Sequence, residues 1–248
     1  MAWRAGNSRS RLIQTMPESE ITTTRFLVLR KTPYSETSLV LAGISPDSGQ
    51  LHFLVRGARR LTRKQFPVAD LFRELQVQYR PGRSGLHNPR TAEVIRDFGT
   101  VARQLSTFNT AVWLARFALA NVVGEAEGPR FYEALITALE RLKEQSGQQT
   151  TEHVAECAAF VGVPLVYLDE HGLLSDYAHA PAKRRRRQLL LRMAVGEEDP
   201  PNLSPADWKR IREWVESLLH YTDCHVPGMP PPEARRKKNG TTKQKKHK

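Results

Sequence analysis

The chain has 248 residues, 40% hydrophobic and 26% charged, enough for one large domain or two small ones. Its net charge of +12 and pI near 10.0 leave the fold open but point to a polyanionic partner, nucleic acid before an anionic membrane. No apolar run of about 18 residues is present to span a membrane, and two distant cysteines, Cys157 and Cys224, rule out a disulfide framework and a four-cysteine zinc site.

Residues 1–20 carry Arg4, Arg9 and Arg11 with no acid before Glu18. They lack the apolar core of a secretion signal. They loosely fit an organelle transit peptide, but the reading adopted is a flexible N-terminal extension, or a true start at Met16.

Residues 21–98 read as short strands. The stretch "TTTRFLVLRK" has three β-branched threonines and alternating Phe26 and Val28, and "SLVLAGIS" is apolar until Pro46, Asp47 and Gly49 turn the chain. In "QLHFLVRG", Leu51, Phe53 and Val55 face one way and His52, Leu54 and Arg56 the other; in "ELQVQYR", Leu75, Val77 and Tyr79 share a face. "RPGRSGLHNPR" reads as a loop and "TAEVI" as a last short strand. Five short strands with turn signals predict a small closed or partly open barrel. Half or more of its rings must fill the core, which leaves Tyr34 and Phe66 as the exposed candidates.

Residues 99–228 read as helical. "RQLSTFNTAVWLARFALANVV", without Gly or Pro, is apolar all round and predicts the central helix of a bundle. Phe131, Leu135, Leu139 and Leu142 form the apolar stripe of a second helix. "TTEHVAECAAFVG" predicts a third, stopped by Gly162 and Pro164. Ser204, Pro205 and Asp207 form a helix start ahead of Trp208, Ile211, Val215 and Leu218. Trp208 and Trp214 are read as helical core ahead of base-stacking platforms. Between these helices, Lys183, Arg184, Arg185, Arg186 and Arg187 form five consecutive cations, read as a phosphate-contacting loop. Residues 229–248 open on prolines and hold eight cations against Glu233, a net +7; such a segment builds no core and reads as a disordered basic tail.

Catalytic motifs are missing: no GxxxxGK[ST], GxSxG, HExxH or CxxC occurs, so an enzyme is not expected. Asp169, Glu170 and His171 read as a polar turn. His153 with Cys157 and Cys224 with His225 read as structural thiols beside histidines, so neither metal nor cofactor is expected. The positive signal is binding. Residues 21–80 hold ten cations against four carboxylates, with aromatic rings interleaved. The densest run, "LVRGARRLTRKQF", places Arg56, Arg59, Arg60, Arg63 and Lys64 within nine residues, as a phosphate backbone requires. Gly57 is read as a sharp turn where a Cβ would crowd the chain.

The opening "FLVLRKTPYSETSLVLAGISPDSGQLHFLVRGARR" resembles the start of the RecO recombination mediators: a strand, an R-x-x-P-Y-[GS]-E-[TS] turn, a strand, a P-x-x-G turn, and a third strand running into RGARR. Arg30, Pro33, Tyr34, Ser35, Glu36 and Thr37 supply the first turn, Pro46 and Gly49 the second, and Arg56 to Arg60 the end. Glu36 is read as an acceptor that fixes its turn. "TAEVIRDF", the long apolar helix and "FYEALITALERL" extend the resemblance to about residue 145. The resemblance implies an α+β protein, with an N-terminal OB-fold β-barrel over 21–98, an α-helical domain over 99–228 and the tail. It implies a zinc-finger-lacking member, since many relatives carry a four-cysteine module that has no counterpart here. It implies binding of single- and double-stranded DNA, annealing of complementary strands, help in loading the RecA recombinase together with RecR, contact with the tail of the single-strand-binding protein, and a cytoplasmic, nucleoid-associated bacterial location. The DNA-contacting residues expected are Arg30, Lys31, Tyr34, Arg56, Arg59, Arg60, Arg63, Lys64, Lys183 to Arg187, Arg235, Arg236, Lys237 and Lys238. The competing reading is an RNA- or ribosome-associated OB-fold protein without DNA annealing activity.

Overall fold

The computed structural model describes residues 21–58, 69–82, 85–122, 128–148, 153–175 and 179–228. Five strands come first: β1 (Thr22–Pro33), β2 (Leu39–Ser45), β3 (Gly49–Val55), β4 (Arg73–Arg80) and β5 (Leu86–Asp97). They close into a barrel in the order β1-β2-β3-β5-β4. All neighbours are antiparallel except β3 and β5, which run parallel. This is the five-stranded OB-fold barrel.

Alternation decides what fills it. Phe26, Val28, Leu41, Leu51, Phe53, Val55, Leu75, Val77 and Tyr79 form the interior. Phe53 meets Phe26 and Tyr79 edge to face, with centroids 4.8 and 5.1 Å apart. Phe26, Phe53, Phe72 and Tyr79 are all buried, while Tyr34 is 64% exposed. β1 is long because it pairs with β4 over its first half and with β2 over its second, and Leu29 is the extra residue where the register shifts between Val28 and Arg30.

β5 departs from the sequence reading. It begins at Leu86, so "LHNPR" is strand and not loop. Pro89 is tolerated because it sits where the register against β4 slips, from Gln78 opposite Thr91 to Tyr79 opposite Pro89, leaving Arg90 as the extra residue.

A 3-10 turn at Gly99–Arg103 leads into α1 (Leu105–Asn121), α2 (Pro129–Ser146), α3 (Val154–Glu170), α4 (Pro181–Ala194) and α5 (Pro205–Tyr221). The centre of the bundle is α3, packed on the other four helices, and not α1, which packs on β1 and β2. Neither Gly162 nor Pro164 stops α3. A proline inside an exposed helix costs about 3 kcal/mol, but α3 is buried almost without a break from Ala155 to Leu168, and that burial offsets the lost hydrogen bond. Gly162 is a contact point: a Cβ there would lie 2.8 Å from the Cβ of Ala194 on α4. The α2 stripe is buried as predicted, Ser204 Oγ accepts from Asp207 N to cap α5, and Trp208 is 3% exposed.

Barrel and helices share one apolar cluster. Leu27, Leu29, Ile44, Phe72 and Phe98 leave the barrel wall to join the helical core. A polar clamp crosses the same seam. Glu74 on β4 is fully buried. Its Oε1 accepts from the Tyr132 hydroxyl of α2 at 3.1 Å, while Arg96 lies 3.2 Å from Oε2 and Arg25 3.6 Å from Oε1 as ion-pair partners. Arg25 and Arg96 each reach on to α2, binding Glu133 at 2.8 Å and Glu140 at 2.9 Å. Burial and then the Glu74 charge drive the Tyr132 hydroxyl far above its ordinary range, so it stays a donor.

Candidate nucleic-acid interface

The outward residues of β1, β2 and β3 form a face that the helices leave open at one end. The register places Arg30 opposite Ala42 and Ala42 opposite His52, one row across three strands. Burial, and then the nearby Arg30 charge, hold the His52 imidazole below its usual range. Beside this row lies the β1–β2 turn. Tyr34 N donates to Ser38 O at 3.1 Å and Ser38 N to Ser35 Oγ at 3.2 Å. The turn is therefore fixed by the Ser35 hydroxyl, in the role expected of Glu36, and the Tyr34 ring stands in solvent.

At the end of β3, Arg56 lines a depression of about 370 Å³ with Leu54, Val55, Asn88 and Pro89. Arg80 is the register partner of Asn88, and Arg90 is the extra residue two positions on. Gly57 turns the chain at φ +73°, with open space where a Cβ would be. Backbone conformation and not crowding calls for glycine there.

Charge separates these cations into two groups. Arg25, Lys31, Arg73 and Arg96 are held by Glu74 or Glu133, Asp70, Asp97, and Glu74 or Glu140. Burial raises the Asp70 carboxyl, but the bonds from Lys31 and Leu71 N outweigh it, and Asp70 titrates below its usual range. Arg30, Arg56, Arg80 and Arg90 are exposed and have no carboxylate partner among the described residues. Of the expected barrel contacts, the structure thus brings Arg30, Tyr34 and Arg56 to open surface and engages Lys31. Arg59, Arg60, Arg63 and Lys64, with the alternative ring Phe66, lie outside the described residues, as do Arg235, Arg236, Lys237 and Lys238. Arg80 and Arg90 do not stand out in the sequence; only the register that brings them beside Asn88 marks them.

Lys183 to Arg187 do not form a loop. Pro181 opens α4 and the five cations occupy its first two turns. A helix distributes them: Lys183, Arg186, Arg187 and Leu190 follow at i, i+3, i+4 and i+7 on one side, and Arg184 and Arg185 point elsewhere. The loop reading failed because five like charges near a helix N-terminus oppose the helix dipole; the packing of Leu190, Leu191 and Met193 outweighs that.

The remaining polar clusters are structural. Glu170 accepts from the backbone N–H of Arg130 and Phe131, both at 2.9 Å, and so caps α2 from the end of α3, while Asp169 pairs with Arg130. Burial, ahead of the Glu156 charge, pushes the Cys157 thiol up, and Cys224 lies 3.2 Å from the Thr222 hydroxyl. Among the described residues no three His, Cys, Asp or Glu side chains converge as metal ligands.

The family model for the recombination protein O N-terminal region matches residues 16–98, which take in the whole barrel with Arg30, Arg56, Arg80 and Arg90. Over residues 16–98 the chain is thus similar to the N-terminal region of the RecO family. Similar proteins include the DNA repair protein RecO of Prochlorococcus marinus strain MIT 9303, 32% identical over 149 residues, or 59% of this chain and 55% of that one. The DNA repair protein RecO of Synechococcus sp. strain WH7803 is 33% identical over 150 residues, covering 59% and 54%, and that of Idiomarina loihiensis 28% over 118, covering 48% and 50%. The chain thus spans about half the length of the curated relatives it matches. The OB-fold of the family's N-terminal region is the barrel seen here. No helix among the described residues is long and apolar enough to cross a membrane.

Proposed function

We propose that this protein is a DNA repair and recombination factor that binds single- and double-stranded DNA, anneals complementary strands and helps load RecA together with RecR. The observation that carries the reading is the set Arg30, Arg56, Arg80 and Arg90, exposed on an OB barrel and without carboxylate partners among the described residues. The relatives' shared description as DNA repair proteins supports it. OB barrels hold strands with cations that track the phosphates and rings that stack on bases. Tyr34 is the ring on this face, and the run Arg59, Arg60, Arg63 and Lys64 continues from Arg56 on the same connection. Lys31, Lys183 to Arg187 and Arg235 to Lys238 add to the field. The tail of the single-strand-binding protein is a partner in this reading, the location is the bacterial cytoplasm with its nucleoid, and no catalytic step, metal or cofactor is required.

The test is binding of single-stranded DNA, duplex DNA and RNA across a salt series, with strand annealing followed in parallel. Replacing Arg30, Arg56 and Arg80 by Ala should reduce the slope of log K against log salt on single strands by about 2, at ~0.7 per phosphate contact removed. The loss should be the same for every base sequence, since phosphate contacts carry none. A variant that binds and anneals like the parent at all salt concentrations removes the barrel face from the mechanism. Binding to RNA alone, without annealing of DNA, overturns the repair reading in favour of an RNA-associated protein.

A further inference from the structure

The face of α4 described above does not stand alone. Across from it, α5 presents Arg210, Ile211 and Trp214, and the two helices enclose a groove of about 400 Å³ lined also by Lys183, Arg186, Arg187 and Leu190. Its floor is apolar, made by Leu190, Ile211 and the half-buried Trp214 ring. Its rim is cationic. The carboxylate paired there is Asp207, 3.5 Å from Arg210. Trp208, one turn and a half earlier on α5, is buried in the core and takes no part. The groove is separate from the barrel face: the barrel packs on α1 and α2, whereas the α4 and α5 walls of the groove pack on α3.

We propose that the α4–α5 groove is a second nucleic-acid site, one that takes an unpaired strand by stacking a base on Trp214 and holding the flanking phosphates with Arg186 and Arg210. The proposal rests on the reading that the protein binds DNA and adds where a further strand sits. The chemistry separates this site from a simple phosphate patch. A cationic surface alone accepts duplex and single strand alike. An apolar floor with an aromatic ring accepts only bases that are not already paired and stacked. Charge complementarity favours a polyanion over a neutral ligand, because the described lining of the groove is basic, with Arg186 and Arg210 on its two walls. A strand on the barrel and a strand in this groove would be held on separate surfaces, so that one molecule carries two strands at once. Annealing requires two strands in one complex.

The experiment uses the full chain with Trp3→Phe, so that its emitters are the buried Trp113 and Trp208 and the groove's Trp214. Addition of a 20-nucleotide oligothymidine should quench the fluorescence, and the quench should vanish in Trp214→Phe, whose phenyl ring still stacks and whose affinity should stay near the parent's. Trp214→Ala should weaken single-strand binding about tenfold, the usual loss of one stacked base. Duplex binding should change less than about twofold. The barrel variant with Arg30, Arg56 and Arg80 replaced should bind more weakly yet keep the quench. If Trp214→Phe is still quenched, or if single-strand and duplex binding fall together in Trp214→Ala, no base stacks there and the proposal fails. It also fails if an acidic peptide with an apolar end residue quenches Trp214 and the oligonucleotide does not, because the groove is then a peptide site. A parent that shows barrel-dependent DNA binding without the quench sinks this inference alone. A parent that binds no DNA sinks the functional reading as well.

Discussion

The clamp around Glu74 permits a test in which sign and size both follow from geometry. Replacing Arg25 and Arg96 by Met removes both cations facing a fully buried carboxylate and leaves Tyr132 as its donor. Methionine keeps much of the apolar stem packing. Leaving a charge buried without its partners costs about 3–5 kcal/mol. The outer ion pairs that the same change breaks, to Glu133 and Glu140, are each about half exposed and add no more than ~1 kcal/mol apiece. Replacing Glu74 by Gln instead removes the buried charge and leaves Arg25 and Arg96 with Glu133 and Glu140, so the loss should be about 1–2 kcal/mol. The decisive variant combines all three changes. If the orphaned charge is what destabilises, Glu74→Gln added to the double arginine variant should restore most of the lost stability, a coupling read from a double-mutant cycle. Urea unfolding monitored by circular dichroism gives the energies, and the double variant should melt about 10 °C below the parent. Equal losses for the double and triple variants would refute the account, for the cost would then lie in packing.

Two further outcomes follow. Gly162→Val should destabilise by about 1–3 kcal/mol through overpacking against Ala194, measured by the same unfolding curves, whereas Gly172→Ala on the surface should act only through its positive φ. His52 and His87 both titrate below the usual imidazole range, each first because of burial, then because of Arg30 for His52 and His52 for His87. The unfolded chain therefore takes up these protons first as pH falls, so stability held above about pH 6.5 should drop through lower pH. His52→Gln should flatten that drop, and a melting profile between pH 7 and 5 identical to the parent's would contradict it.

Much of the barrel was legible because period-two alternation in β3 and β4 maps directly onto inside and outside. The amphipathic stripe of α2 and the Ser204 cap of α5 were legible for the same local reason. What failed was local evidence overruled by packing partners far off in sequence. Pro164 signals a helix end, yet α3 is wrapped on all sides. The Lys183–Arg187 run reads as a phosphate-contacting loop, yet the apolar residues after it anchor a helix. Pro89 hid the first half of β5. The clamp could not be read at all, because Glu74 and Tyr132 are 58 positions apart. On the site, Arg30, Tyr34 and Arg56 followed from their place at strand ends and turns. Arg80, Arg90 and Arg210 needed the register of β4 on β5 and the facing of α4 on α5, and Trp214 reads in the sequence as helical core ahead of a stacking platform.

β1 is covered on both sides, by the barrel interior at Phe26 and Val28 and by the helices at Leu27 and Leu29. During synthesis the barrel leaves the ribosome first, with Leu27, Leu29, Ile44, Phe72 and Phe98 still facing water. Their cover begins to arrive only when α1 has emerged, about 25 residues later, or some 1–5 s at ordinary elongation rates. For that interval the nascent chain displays an apolar wall beside a cationic surface, on a particle made largely of RNA. Expression of the barrel alone should therefore yield an aggregating fragment, and the order of the elements along the gene sets a window in which chaperone capture competes with self-association.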